Sequence, residues 1–383
     1  MTVIDRYLLF QFFKIFLISL VSFAGLYVVI HVFTNLDEVV VISGEDGGLK
    51  SLAFDFYGPR VFDFFNRMSG VLILVAAVFS ITMMQRRRET TATEAAGVTK
   101  ARLVLPVIVA AIFIIGAAAI CREVYIPQYK AMLVRSLTNW TTSGMVAMNH
   151  YRDYETGILF QGDQFDIAEK TITSVQLKLP RSISPDFLEV KAEYGVIGKF
   201  GGGSEAAAQR NGLLLVNVED PDKFRYVRNV MWNDSVVIYT PADNPTLQAN
   251  QLFVACRLDV QEIAYGSSLN EYSSLSEMIE KLKRPSRRFG NGNQVAIHGR
   301  VLKPILELTL VLIGLPLVIC KSDRNIFVAA ALCTSVVVAL EVTTMASHAM
   351  GTYRVIPTAS LAAWIPVILF LPTTAFSIRK LFD

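Results

Sequence analysis

A run of about twenty apolar residues is the length at which a helix satisfies its own backbone hydrogen bonds across a hydrocarbon core about 30 Å thick. Six such runs occur in this chain, at residues 15–33, 68–84 with 61–65 leading in, 103–121, 302–320, 326–346 and 361–378. Pro304, Pro316, Pro366 and Pro372 fall inside them, which membrane helices tolerate because neighbouring helices re-satisfy the freed carbonyls. The composition agrees: of 383 residues 52% are hydrophobic and 18% charged, against about a quarter charged in soluble domains. The first run is longer than a signal-peptide core and no A-x-A-like site follows His31, so it reads as a retained anchor.

Lysine and arginine near span ends set orientation. Arg6 and Lys14 precede span one, Arg86, Arg87, Arg88, Lys100 and Arg102 lie between spans two and three, Lys321 and Arg324 between four and five, and Arg379 and Lys380 follow span six. All fall on one side if the N-terminus is cytoplasmic, and six spans return the C-terminus there. The chain then divides into 1–121 with spans one to three, an external domain over 122–290, and 291–383 with spans four to six. The external block is long enough to bury its own core.

That block carries short apolar or alternating segments about ten residues apart: GILFQG, SVQLKLP, FLEVKAEYGVIGKF, GLLLVNVE, RYVRNVMW, SVVIYT and QLFVACRLDV. Rich in Val, Ile, Leu, Tyr and Phe and bounded by Gly, Pro, Asn and Asp, they predict an all-β sandwich or jelly roll. Of the four cysteines only Cys256 belongs to this block, so packing rather than disulfides holds it. Gly201, Gly202 and Gly203 read as a loop tip, because no Lys-Ser or Lys-Thr follows at Walker spacing. Before span four, Ser274 and Glu277 fit a capping box and Leu275, Met278, Ile279 and Leu282 share one face, predicting an amphipathic helix over about 274–284 on the membrane surface. Its basic continuation through Arg287, Arg288, Arg300 and Lys303 is either a solvated helix end with ordinary phospholipid contacts or an electrostatic lip for an anionic lipid.

No nucleotide motif, H-E-x-x-H or G-x-S-x-G occurs, and the four histidines are scattered, so the chain has nothing from which to build an enzyme or metal site. A net charge of +3 is too slight to suggest nucleic acid. Glu307 and Glu341 lie in spans, where a carboxylate is costly unless paired, protonated or facing a wet cavity. They either reach the outer interface as structural groups or line a cavity that meets a lipid head group.

Between spans two and three stands RRRETTATEAAGVTKAR. The segment is helix-compatible over about 86–99, Glu89 suits a helix N-terminus, Gly97 a C-terminal stop, and Ala92, Ala95, Ala96 and Gly97 permit close approach of another surface.

Here the sequence resembles the permease subunits of the lipopolysaccharide-export ABC transporter, the LptF/LptG (YjgP/YjgQ-type) proteins. The resemblance is carried by I-D-R-Y before span one, R-x-E-x-T-A-x-x-A-A-G-V between spans two and three, S-L-S-E-M-I-E-K-L after the external domain, H-G-R-V-L-K-P-I-L-E-L-T-L-V-L-I-G-L-P-L entering span four, and A-A-W-I-P opening span six. It implies an inner-membrane permease with a periplasmic jelly roll, whose coupling helix contacts a cytoplasmic ABC ATPase dimer through Glu89, Ala92, Ala96 and Gly97. It implies no cofactor on this chain, ATP and magnesium belonging to the partner. The implied partners are a second related permease or another copy, a periplasmic jelly-roll bridge and lipopolysaccharide. Where family members carry late span-one cations that meet lipid A phosphates, this chain has His31, Asn35, Asp37 and Glu38. Of the remaining outer cations, Arg67, Arg135, Arg300 and Lys303, with Glu307 and Glu341, are the expected head-group contacts. Alternatives are an ABC permease for another envelope lipid, or a membrane-anchored scaffold.

Overall fold

A computed structural model describes residues 3–44, 48–137, 145–148, 150–153, 156–183, 189–200, 210–224, 226–233, 235–256, 258, 260–266, 268–283, 291–320 and 326–382. The triplet Gly201 to Gly203, the basic pair Arg287 and Arg288, and Lys321 with Arg324 lie outside these residues.

Helix α1 (Val3–Thr34) is followed by α2 (Tyr57–Arg86), the short α3 (Glu89–Ala95) and α4 (Lys100–Ile120). Two π-helical turns flank the stretch from α2 to α4: Leu52–Phe56 leads into α2, and Cys121–Tyr125 extends α4. Ten strands follow, β1 (Met145–Ala147), β2 (Tyr151–Arg152), β3 (Leu159–Gln161), β4 (Gln164–Asp166), β5 (Thr171–Lys178), β6 (Glu189–Phe200), β7 (Arg210–Val218), β8 (Val230–Trp232), β9 (Ser235–Tyr239) and β10 (Gln251–Ala255). Helices α5 (Val260–Tyr265), α6 (Ser268–Tyr272) and α7 (Leu275–Leu282) lead back to α8 (Asn291–Ile319), α9 (Ile326–Thr352) and α10 (Ala359–Phe382).

Among the described residues, six helices are long and apolar enough to cross a membrane. They exceed the apolar windows that mark them. Helix α1 has 32 residues, about 48 Å at 1.5 Å per residue, because hydropathy marks only the part in hydrocarbon while the helix continues through its polar ends. Helices α2 and α8 form the centre of the bundle. Leu72, Ile73, Leu74, Ala76, Ala77 and Ile81 of α2 are buried almost all round, as a helix that is apolar on every face must be. Leu310, Val311, Leu315 and Val318 of α8 join the same core.

All seven strand-like segments of the sequence contain a strand, and every pairing is antiparallel. The order β1-β4-β5-β6-β7-β10-β9-β8, with β2 on β3 and β3 on β5, makes one open sheet rather than a closed barrel. One face buries Phe160, Phe165, Leu177, Leu213, Leu215 and Val254, capped by Ile263 and Tyr265 of α5 and Leu269 of α6. Alternation breaks within β5, where Ile172 and Val175 are both buried across Ser174, which adopts φ 52°. Opposite this point β3 and β4 are interrupted, and Asp163 N donates to Thr173 O at 3.0 Å.

Only the N-cap half of the expected capping box forms: Ser274 Oγ accepts from Glu277 N at 3.2 Å, while the Glu277 carboxylate turns to Lys130, and the amphipathic helix runs over Leu275–Leu282. It is fastened to the end of α4, since Glu123 Oε2 accepts from Leu275 N at 2.7 Å and Lys130 pairs with Glu277 at 3.0 Å. A second fastening runs from α2. The buried Arg60 guanidinium lies 3.4 Å from the Phe56 ring centroid and donates to Phe56 O at 2.8 Å and to Arg135 O at 2.5 Å. Arg135 Nε in turn donates to Tyr265 Oη of α5 at 2.8 Å.

Gly212 of β7 admits no side chain, because a Cβ there would stand 2.2 Å from Val254 O and 2.5 Å from the Phe253 ring. The first of these neighbours is backbone and cannot rotate away. Gly212→Ala is expected to destabilise the β-domain by about 2–4 kcal/mol, read as earlier thermal loss of protease resistance in residues 145–265 of the detergent-solubilised chain.

Candidate functional site

Three charged residues of α8, Arg300, Lys303 and Glu307, recur at helical spacing and so share one face. Arg300 reaches the C-terminal end of α6, donating to the carbonyls of Asn270 at 2.8 Å, Glu271 at 2.7 Å and Ser273. Carbonyls at a helix end lack intrahelical donors and carry the negative end of its dipole, so a guanidinium fits there. One turn along α8, Lys303 donates to the Asn66 carbonyl of α2 and lies 3.6 Å from Glu307 Oε1. That same oxygen accepts from Ser69 Oγ at 2.6 Å. The intramembrane carboxylate is therefore both paired and hydrogen-bonded, which is what permits it at that depth.

Arg67 of α2 completes the layer. Its Nε donates to Asp63 at 2.8 Å, and its Nη2 lies 2.9 Å from Glu271 Oε1 and 3.2 Å from Tyr272 Oη. Burial, reinforced by Asp63, pushes the Tyr272 phenol above its ordinary value, so it remains neutral.

These side chains surround a cavity of about 730 Å³ whose lining includes Arg67, Arg122, Arg300, Lys303, Glu307 and Glu341. Val71 of α2, Leu306 and Leu310 of α8 and Leu340 of α9 continue it as an apolar wall, and His348 stands on the α9 side. Arg122 arrives from the π-turn Cys121–Tyr125, in which one extra residue per turn offsets side chains around the axis relative to an uninterrupted α-helix. Of the four arginine and lysine side chains lining the cavity, Arg122 alone has no hydrogen bond or ion pair to a described residue.

Five of the six expected head-group residues thus converge: Arg67, Arg300, Lys303, Glu307 and Glu341. Arg135 is not among the lining residues; its guanidinium is turned to Tyr265, where it helps fasten the β-domain. Arg122 is not among the residues the sequence singles out, because the π-turn that carries it, at the end of span three, leaves no mark in composition. Ser69 and Tyr272 carry no signal either; each matters only through a partner more than 200 positions away. Of the polar residues that replace late span-one cations, His31 turns to α2, its Nδ1 3.0 Å from Tyr57 Oη, Asn35 Nδ2 donates back to His31 O at 2.8 Å, and Asp37 is exposed.

At the opposite end of the bundle, α3 is held by its two ends. Arg88 precedes it in the left-handed region at φ 58°. After it Gly97 adopts φ 81°, with Gly97 N donating to Glu94 O at 2.9 Å and Val98 N to Thr93 O at 3.1 Å. This pair of bonds is a Schellman termination, which selects glycine at that position. Thr99 then caps α4, accepting from Arg102 N at 3.3 Å. Ala92, Ala96 and Gly97 are exposed, leaving a smooth outward face. Glu89 turns back toward α1: its Oε1 accepts from Tyr7 Oη at 3.3 Å and lies 3.8 Å from Arg87 Nη1, while no donor among the described residues reaches its buried Oε2.

A direct search finds no match among curated proteins. A family model, described as the lipopolysaccharide export system permease LptF/LptG, matches residues 6–380.

The paired carboxylate generates a prediction. Glu307→Ala leaves Lys303 with a carbonyl as its sole partner, and is expected to lower stability by about 2–3 kcal/mol, somewhat less than for a fully buried pair. Glu307→Gln retains a partner for Ser69 and should cost less, so thermal unfolding of the detergent-solubilised chain should rank wild type above Gln above Ala.

Proposed function

Since the chain belongs to the LptF/LptG family of lipopolysaccharide-export permeases, a group of multi-pass inner-membrane proteins, we propose that its polar cavity is where the lipid head group is held during extraction. The observation that carries this reading is the convergence of residues from α2, α8 and α9, Arg67, Arg300, Lys303, Glu307 and Glu341, on one cavity whose other walls are apolar. An amphiphile needs such a division, charged donors for its head and methyl and methylene groups for its chains.

In this reading the β-domain faces the periplasm and both termini lie in the cytoplasm. Lipopolysaccharide leaves the outer leaflet of the inner membrane, passes the cavity, and is handed by the open sheet to a periplasmic bridge of jelly-roll type. A second related permease, or another copy of this chain, closes the path. The work comes from a separate cytoplasmic ABC ATPase dimer, which holds ATP and magnesium and seats α3 in a groove. Two features support α3 as that contact: its exposed small residues and its fixed ends.

Within the cavity, Arg122 is the cation to which a phosphate is offered. Arg67, Arg300 and Lys303 already serve protein acceptors, and a group that must release its acceptors gains little from a new one. The same commitment of cations, with His31 and Asn35 in place of lysines, favours a head group with few phosphates. It is also what a permease for a different envelope lipid would have, and the lipid itself decides between them.

The complex purified through the full chain should carry lipopolysaccharide, identified by mass spectrometry of the extracted lipids; a single other lipid in stoichiometric amount would establish the alternative. Arg122→Gln should weaken lipopolysaccharide binding about tenfold or more, the worth of one charge-assisted hydrogen bond, with folding unchanged. Glu89→Arg should leave the protein inserted and folded but abolish its association with the ATPase, seen as loss of the ATPase from the purified complex.

A further inference from the structure

We propose that the first turn of α1 transmits the movement of α3 to the bundle, with Asp5 and Tyr7 as its positioning residues. The proposal rests on the reading of α3 as the ATPase contact and adds a mechanical route to it.

The starting observation is that both feet of the polar segment are tied to the same turn. At the entering foot, the Tyr7 hydroxyl accepts from Arg87 Nη1 at 2.9 Å and donates to Glu89 Oε1 at 3.3 Å. At the leaving foot, Arg102 Nη2 donates to Asp5 Oδ2 at 3.1 Å, and Asp5 is buried. Residues 5 and 7 point to different sides of a helix, so the turn stands between the two feet and touches each. A tilt of α3 about its left-handed joints at Arg88 and Gly97 moves Glu89 against Tyr7, and a movement that carries the flanks of the segment with it moves Arg87 against Tyr7 and Arg102 against Asp5.

The helix so tied is the one least held by packing. Within the chain α1 buries only Asp5, Leu8, Phe12 and Ala24, whereas α2 and α8 are central to the core. Displacement therefore meets less resistance in α1 than in its neighbours. At its far end α1 presents His31 to Tyr57, one residue from Phe56, whose ring and carbonyl hold Arg60. Arg60 is the residue that grips Arg135 and, through it, the β-domain. Helix α1 thus spans from the two feet of α3 to the joint between bundle and sheet.

With Arg87 and Arg102 half exposed, these contacts are too weak to serve as stability elements. Their geometry, rather than their energy, is what the function uses.

The test uses the full chain in its complex with the ATPase, reconstituted in liposomes containing lipopolysaccharide, and measures lipid released per ATP hydrolysed. Tyr7→Phe and Asp5→Arg should each lower that ratio by about threefold or more, as expected for loss of a partly exposed polar contact, with the ATPase content of the complex unchanged. The exchange Asp5→Arg with Arg102→Asp should restore the ratio to within about twofold of wild type, which a merely structural defect would not allow. Should Asp5→Arg fail to assemble, Tyr7→Phe, which removes one hydroxyl, and the exchange variant still decide. Wild-type ratios in the single variants, alongside loss of the ATPase in Glu89→Arg, would overturn the role of α1 and leave α3 as the contact. Retention of the ATPase by Glu89→Arg would overturn the parent reading instead.

Discussion

The Arg300 guanidinium makes the densest of the links that join the bundle to the helices beneath the sheet. Its donors collect the carbonyls of Asn270, Glu271 and Ser273 at the end of α6, while its backbone belongs to α8, a central helix of the bundle. A desolvated guanidinium tolerates such a site only when its hydrogens are met, and three carbonyls with a helix dipole behind them meet them. The remainder of the polar layer follows from where this anchor sets α8. Lys303 comes to lie against α2, Glu307 against Ser69, and the apolar residues beyond them line the lower wall of the cavity.

Much of this was legible in the sequence, for physical reasons that can be stated. Spans are read from composition because a membrane imposes its thickness on every helix that crosses it. Glu307 and Glu341 stand out in the sequence because a carboxylate inside an apolar run is costly unless something meets it. Gly97 announced its Schellman turn because few other residues adopt φ 81° without cost. What escaped depends on distant partners. Arg135 and Arg122 are indistinguishable as sequence, each a cation just beyond span three, yet one is taken by Tyr265 and the other is turned by a π-helical residue into the cavity. The ties from Asp5 and Tyr7 to residues 87–102 were likewise invisible, although I-D-R-Y had drawn notice as a pattern without a stated task.

Charge is used sparingly at the β-domain end of the bundle. Each cation but Arg122 around the cavity answers to an acceptor within the chain, and the carboxylates of Asp63, Glu271 and Glu307 serve two purposes, holding the layer together and reducing its net positive field. In the proposed reading such a lining suits passage more than storage. A surface of free cations would bind a phosphorylated head group tightly and release it slowly, whereas committed ones offer a weak, partly screened field with one free donor in its midst.

Helix α3 has seven residues, too few to persist alone in water. Its form is inherited from its flanks: a left-handed residue before it, a Schellman turn after it, and a long helix on either side. The outward side chains between those limits contribute little to folding. They are therefore open to substitution, and the chain could drift in step with whatever surface receives it, exchanging one threonine or alanine for another while the geometry of the segment stayed as it was. Gly97 is the exception, since the turn that ends the helix and the outward face both require it.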